Sequence, residues 1–203
     1  MKEKLSMTGI ILAGGKSSRM GRDKAFLRFG DGTLLEHLVF LLESIFEETL
    51  IVVGQKDKLE GLALGKTKVY EDLIKARGPL GGIYTGLCYS KSKASCILTC
   101  DMPLVDEVIL RELVNFWGED DDVLCLENPQ GELEPFPGVY SRSSRHLIRL
   151  LLERGEAAMH RFLEVAVVKP LVLKEEKIRV LTNMNTIEDY YRVLKEKEEW
   201  VKE

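Results

Sequence analysis

No stretch of the 203-residue sequence approaches the ~20 consecutive apolar residues that a helical membrane span requires. The opening Met1-Lys2-Glu3-Lys4 lacks the long apolar segment of a secretory signal, so cytoplasmic residence is expected. The four cysteines, Cys88, Cys96, Cys100 and Cys125, include no C-x-x-C pair, and no histidine stands at metal-ligand spacing from them. They read as small buried apolar residues, not as a zinc site or redox pair. Side-chain amides are scarce, confined to Gln55, Gln130, Asn115, Asn128, Asn183 and Asn185, while Lys and Glu abound. That balance is expected of a heat-adapted protein. A net charge of −4 is too mild for wrapping nucleic acid, so any phosphate binder here must concentrate its cations locally. No internal repeat or low-complexity linker divides the chain, which is long enough for one domain with a substantial core.

Cations do concentrate, between Ile10 and Ala25. Met7 to Ala13 is apolar enough for a buried parallel strand, which brings Leu12 and Ala13 to the sheet's carboxyl edge, where ligands of open α/β sheets collect. Gly14 and Gly15 follow at once and let backbone N–H groups approach an anion without a side chain in the way. Lys16, Arg19, Arg22 and Lys24 then crowd around the same turn, with Ser17 and Ser18 as further donors. Two common phosphate loops do not match. The P-loop requires glycine where Ile10 stands, and G-x-G-x-x-G fails because Gly14 and Gly15 are adjacent and Gly21 is too distant. The alternative is an ordinary polar strand-to-helix loop, with Lys16 and Arg22 as solvated cations.

Downstream, Phe26 to Phe29 reads as a short strand, Gly30-Asp31-Gly32 as a turn, and Thr33-Leu34-Leu35-Glu36 as a capping box opening a helix to about Phe46. Strands are expected at Glu48–Val53, Lys66–Tyr70 and Ser95–Thr99, with a short helix between Gln55 and Gly65 and another from the Gly78-Pro79-Leu80-Gly81-Gly82 turn to Tyr89. Asp106–Trp117 reads as a helix, Asp122–Glu127 as a strand and Glu134–Tyr140 as an extended segment near the site. Ser144–Arg154 is a helix stopped at Gly155, followed by a short helix from Ala157 to Glu164. Val165–Leu173 and Lys177–Leu181 are expected as further strands, and Thr186 to Asp189 as the cap of a terminal helix. His37, His146 and His160 all fall on helices, in packing or surface roles. Such alternation predicts a Rossmann-like, doubly wound, mostly parallel α/β sheet flanked by helices. The right-handed crossover rule then gathers Gly14, Gly54, Asp72 and Asp101 into one crevice. Asp101 ends an apolar strand in a D-x-P turn at that edge; a lone carboxylate there suits Mg²⁺, and otherwise serves as a turn or cap residue.

Leu12-Ala13-Gly14-Gly15, Ser18-Arg19-Met20-Gly21 and Asp23-Lys24 together resemble the signature of the molybdenum cofactor guanylyltransferases, the MobA family of nucleotidyltransferases. The resemblance runs nearly the whole chain and is strongest before Leu104. It implies one nucleotidyltransferase domain over residues 1–203, with the part to about 104 binding nucleotide and the remainder facing the cofactor substrate. The implied reaction moves GMP from GTP to molybdopterin cofactor with Mg²⁺ on Asp101. Arg19 and Lys24 would clamp the triphosphate, backbone groups of Leu12 and Ala13 would read the guanine edge, and Asp72 matches a family aspartate near the nucleotide. Gly78 to Gly82 resembles the family's G-P-L-x-G turn, where close packing excludes side chains. Asn183-Met184-Asn185-Thr186 resembles the late N-x-N-T segment on the molybdopterin side, though paired asparagines before a helix are also turn and cap chemistry. Arg154 and Arg161 are candidate cations for that side. Transient contact with cofactor-synthesis or acceptor proteins is implied; nucleic acid and membrane are not. One departure concerns the base: relatives commonly carry asparagine where this chain has Gly54, leaving backbone or Gln55 to make that contact. Two rival readings are a CTP- or sugar-phosphate-dependent nucleotidyltransferase and a non-catalytic nucleotide-binding module.

Overall fold

A computed structural model describes residues 3–14 and 24–200, without the side chains of residues 58 and 197–200. Among the described residues there are nine strands and six α-helices: β1 (Leu5–Leu12), β2 (Arg28–Phe29), β3 (Gly32–Thr33), α1 (Leu34–Ile45), β4 (Phe46–Val53), β5 (Lys68–Glu71), α2 (Gly78–Tyr89), β6 (Ala94–Thr99), α3 (Glu107–Phe116), β7 (Val123–Glu127), β8 (Leu133–Ser141), α4 (Ser144–Glu153), α5 (Met159–Val165), β9 (Val168–Val172) and α6 (Ile187–Trp200). Seven strands form one sheet in the order β5-β4-β1-β6-β8-β7-β9, and β2 and β3 make a separate two-stranded ribbon. The pairs β4/β5, β1/β4, β1/β6 and β7/β9 are parallel, whereas β8 runs antiparallel to both its neighbours. The expected mostly parallel, doubly wound sheet is thus present, with one reversed strand in its second half.

Sequence chemistry accounts for the flanking layers. Thr33 caps α1 reciprocally with Glu36: Glu36 N donates to Thr33 Oγ1 at 3.3 Å and Thr33 N to Glu36 Oε2 at 2.8 Å. Leu34, Leu35, Leu38, Val39, Leu42 and Ile45 then form its buried face, each side chain contributing about 1.5–3 kcal/mol on burial. On the opposite face α2 lies unusually close to β1. A Cβ at Gly86 would meet Ile10 Cδ1 at 2.9 Å, and one at Gly82 would meet Leu12 Cδ2 at 3.2 Å. The missing side chains set this helix-to-sheet distance, so α2 needs no wide apolar stripe. α4 ends just before Gly155, which adopts φ 81° as a stop should.

Three expectations are corrected. The segment after β9 is a 3₁₀ helix, Glu175–Leu181, not a strand over Lys177–Leu181. An alternating strand would place Ile178 and Val180 on one buried face, but only Val180 enters the core while Ile178 is exposed. The strand expected from Val165 begins only at Val168, because α5 extends through Val165. Gln55 to Gly65 holds only a 3₁₀ turn, Lys56–Leu59. The four cysteines form no disulfide; Cys96 and Cys125 are buried as expected, while Cys88 and Cys100 are half-buried.

Candidate active site

Parallel pairing brings four strand ends to one edge. Ala13 N donates to Val52 O at 2.8 Å, Asp72 N to Val53 O at 2.8 Å and Cys100 N to Leu12 O at 3.0 Å. These bonds carry the sheet ladder past the ends of β1, β4, β5 and β6 and fix Gly14, Gly54, Asp72 and Asp101 around one crevice, as the crossover rule predicts. A Cβ on Gly14 would stand 3.4 Å from the Gly54 amide nitrogen, so the two glycines face each other closely. Around Gly54 itself a Cβ would meet no described residue within 4 Å.

The strand end of β1 is less available than sequence reading suggested. The Leu12 carbonyl already accepts from Cys100, and the Ala13 N–H is committed to Val52. Among the described residues, the Ala13 carbonyl and Gly14 N–H are the groups here with no backbone partner. Gly15 and Arg19, together with Lys16, Ser17, Ser18, Met20, Gly21, Arg22 and Asp23, lie outside the described residues.

Asp101 is held from three sides. Its Oδ1 accepts from Thr99 Oγ1 at 2.6 Å, its Oδ2 lies 3.4 Å from Lys24 Nζ, and its carbonyl accepts from Met184 N at 2.8 Å. Lys24 Nζ also donates to Asn185 Oδ1 at 2.7 Å. One ammonium therefore bridges a carboxylate and an amide oxygen contributed by distant parts of the chain. The Asn185 loop is tied down by α6: Asp189 Oδ2 accepts from both Asn185 N and Thr186 N at 2.9 Å, and Asp189 N donates to Thr186 Oγ1 at 3.1 Å. Those backbone donors, Asn185 first, hold the Asp189 carboxyl below its ordinary value. Asn183 is exposed and has no such tie.

Asp72 has a structural partner. Its Oδ1 accepts from Thr85 Oγ1 at 2.8 Å and from Ile74 N at 3.3 Å, which locks the turn between β5 and α2. Gly81 in the Gly78–Gly82 turn is packed under this corner, where a Cβ would sit 3.0 Å from the Ile74 carbonyl and 3.4 Å from Asp72 Oδ2. Gly81 stands at the variable position of the G-P-L-x-G pattern, where its absent side chain lets α2 close on the aspartate turn; the patterned glycine, Gly82, packs instead against Leu12. Arg161 pairs with Glu156 at 3.1 Å and also with Glu164 at the surface. His37 tilts against Phe29 with ring centroids 4.8 Å apart, and His146 and His160 are exposed.

Sequence reading missed Thr99 and Thr85, the hydroxyls that orient Asp101 and Asp72. Thr99 carried a weak signal as a polar residue two places before the carboxylate; Thr85, inside a helix thirteen residues after Asp72, carried none. It also missed that Asn185 meets Lys24. As a metal site, the cluster offers one carboxylate and one amide oxygen at a single point, already bridged by a cation. That all-oxygen set fits Mg²⁺, which binds through one or two carboxylates plus substrate phosphates. Among the described residues no group of three or more His, Cys, Asp or Glu side chains converges, which fits shared protein and phosphate ligation better than a closed protein cage.

The MobA-like NTP transferase domain model matches residues 9–171. A protein of Carboxydothermus hydrogenoformans named as a probable molybdenum cofactor guanylyltransferase is 36% identical over 195 residues, spanning 94% of this chain and 96% of its own length. A protein of Flavobacterium johnsoniae with the same name is 30% identical, spanning 91% of this chain and 94% of its own. Among solved structures, molybdopterin-guanine dinucleotide biosynthesis protein A of Archaeoglobus fulgidus superposes with a TM-score of 0.79 at 22% identity, over 92% of this chain and 96% of that one, a likeness of fold. The family model spans most of the chain and the two relatives cover more than nine-tenths of it, so the chain belongs to the MobA-like NTP transferase family.

Proposed function

We propose that this protein transfers guanylate from GTP to molybdopterin cofactor. A phosphate oxygen of the pterin attacks the α-phosphorus of GTP, a new P–O bond forms, the bond from that phosphorus to the bridging oxygen of the β-phosphate breaks, and pyrophosphate leaves. The observation that carries this reading is the meeting of Lys24, Asp101 and Asn185 at one point beside the Ala13–Gly14 strand end. The names of the two relatives supply the acceptor and the nucleotide.

An attacking phosphate is already anionic, so the reaction requires alignment and positive charge where charge develops, with no protein nucleophile. Lys24 supplies a point charge that can turn from Asn185 to a phosphate, with Arg19 as its planar partner. The Ala13 carbonyl and Gly14 N–H, the open backbone groups of the strand end, face the nucleotide, while Leu12 supports them from beneath and Asp72 shapes the neighbouring turn. Asp101 and Asn185 would hold Mg²⁺, with Thr99 fixing the carboxylate rotamer. Bound there, the ion neutralises charge on the reacting phosphates. The single domain divides along its sheet: β1, β4, β5 and β6, up to about residue 104, serve the nucleotide, and the β7–β9 half with Asn183 and Asn185 serves the pterin.

The test is pyrophosphate release from molybdopterin cofactor and Mg²⁺, with GTP, CTP, ATP and UTP offered separately. Release with GTP alone is expected. Release with CTP would move the chain to cytidylyl transfer, and GTP binding without turnover would leave a nucleotide-binding module.

A further inference from the structure

Thr186-Ile187-Glu188-Asp189 opens α6 with the reciprocal bonds of a capping box: Asp189 N donates to Thr186 Oγ1 at 3.1 Å, and Thr186 N to Asp189 Oδ2 at 2.9 Å. Those two bonds suffice to start a helix. Here the same carboxylate oxygen also accepts from Asn185 N at 2.9 Å, one residue upstream of the box. Its other oxygen takes Arg192 Nη2 at 2.7 Å, so both sides of the carboxylate are engaged. With Met184 N on the Asp101 carbonyl, the three consecutive N–H groups of Met184, Asn185 and Thr186 all have acceptors. The backbone on either side of the Asn185 side chain is thereby fixed, and with it the direction in which Oδ1 meets Lys24 Nζ.

Tyr190 acts on the other partner of that contact. Successive helix residues point about 100° apart, so Tyr190 leaves α6 in a different direction from Asp189. Its hydroxyl donates to the Arg28 carbonyl at 2.9 Å, across 162 positions of sequence. Arg28 opens β2 just after the 3₁₀ turn Lys24–Phe26, where Leu27 N donates to the Lys24 carbonyl at 3.1 Å. The short segment that carries Lys24 is therefore tied to α6 at its far end. The helix is itself anchored, since Val193 is fully buried in the same core cluster as Met184.

We propose that Asp189 and Tyr190 are positioning residues that set Asn185 and Lys24 against each other from the first turn of α6. Asp189 acts through the backbone of Asn185, and Tyr190 through the strand that follows Lys24. The consequence for turnover rests on the guanylyl transfer reading; the brace itself does not. A helix cap alone accounts for the bonds between Asp189 and Thr186, but not for the Asn185 N–H on the same oxygen or the Tyr190 hydroxyl on Arg28. When the brace is loosened, Lys24 keeps a flexible stem that still finds a phosphate, so nucleotide binding survives where alignment does not.

The experiment compares Asp189→Ala, Asp189→Asn and Tyr190→Phe with the parent full chain, by steady-state pyrophosphate release, by GTP titration calorimetry and by the NMR resonance and water exchange of the Lys24 ammonium without substrate. Asp189→Ala should lower kcat about tenfold or more and Tyr190→Phe about threefold or more, with GTP affinity within about twofold of the parent and faster exchange at Lys24 in both. Asp189→Asn keeps an oxygen for the Asn185 and Thr186 N–H groups and should recover most of the loss, which a pure charge effect would not. In an Asn185→Ala background, Asp189→Ala should cost little more, because residues that act through one another are not additive. Tyr190→Phe leaves the helix start intact and decides the matter if Asp189→Ala frays α6. Additive losses in the Asn185→Ala background, an unchanged Lys24 ammonium in both variants, or a kcat equal to the parent's in both overturn the proposal. A parent that turns over no nucleotide, with a Lys24 ammonium that still responds to both variants, overturns the transfer reading and sustains the brace.

Discussion

Lys24 Nζ donates to Asn185 Oδ1 across 2.7 Å although 161 residues separate them. The same ammonium stands farther from Asp101 Oδ2, at 3.4 Å, so its tighter partner is the neutral amide and not the carboxylate. In the proposed reaction, turning this lysine toward an incoming phosphate would exchange one amide hydrogen bond and a long ion pair for charge-assisted contacts. The movement also frees the two oxygens that fit a divalent cation.

Asp101→Asn is expected to lose metal-dependent transfer by about a thousandfold or more, the scale of several kcal/mol of charge stabilisation. The fold should persist, since the asparagine keeps the Met184 N to Asp101 carbonyl bond and the strand end unchanged. Steady-state pyrophosphate release together with far-UV circular dichroism checks both halves. Turnover within a fewfold of the parent would remove Asp101 from the mechanism.

Lys24→Ala removes the bridge and should weaken GTP binding about tenfold or more, since a hydrogen bond to a charged group contributes about 1.5–3 kcal/mol. Transfer should fall further than binding. Titration calorimetry with GTP reads the first effect and single-turnover rates the second. Unchanged GTP affinity would place the triphosphate elsewhere along the crevice.

Sequence order alone places the crevice: apolar strands ending in Gly14, Gly54, Asp72 and Asp101 leave little choice once right-handed crossovers are imposed. The reversed β8 escaped that logic, because the extended run Leu133–Ser141 has no direction until it pairs with Ala94–Ile97. Lys177–Leu181 failed for a different reason. Its apolar spacing suits a strand, but β9 pairs only with β7 and the chain turns Val180 inward as a 3₁₀ coil instead. At the site, the residues that bear chemistry were legible as residue types at strand ends. The hydroxyls that aim them, Thr99 and Thr85, were not, because a threonine in a strand or helix satisfies local propensity without a stated purpose.

Burial pushes the Cys96 thiol up to about 12, and burial with the nearby Glu127 and Glu134 charges does the same for Cys125. Their ordinary value is 9.0, so between pH 9 and 12 the unfolded chain releases protons that the native state retains. Native stability is therefore unaffected by these thiols below that window and falls through it as pH rises, by up to ~1.4 kcal/mol per pH unit for each. Denaturant midpoints of the parent and of Cys96→Ala/Cys125→Ala at pH 8, 9 and 10 isolate the effect. The variant starts less stable from its cavities but should lose less between pH 9 and 10. Parallel slopes would show that the thiols titrate alike in both states.

Gly54→Asn tests base recognition at the strand end that faces Gly14. A Cβ at Gly54 meets no described residue within 4 Å, and the φ there lies outside the left-handed region. The substitution should therefore leave the unfolding midpoint equal or higher, by reducing unfolded-state entropy by a few tenths of a kcal/mol to about 1 kcal/mol. Beside the open Ala13 carbonyl and Gly14 N–H, the new amide adds a donor and an acceptor for the guanine edge, and one such hydrogen bond corresponds to roughly threefold to tenfold in affinity. GTP binding should tighten by that factor while CTP binding does not. Equal tightening for both nucleotides would place the ribose or phosphates, and not the base, at Gly54, and no change for either would put the base on the far side of the crevice from β4.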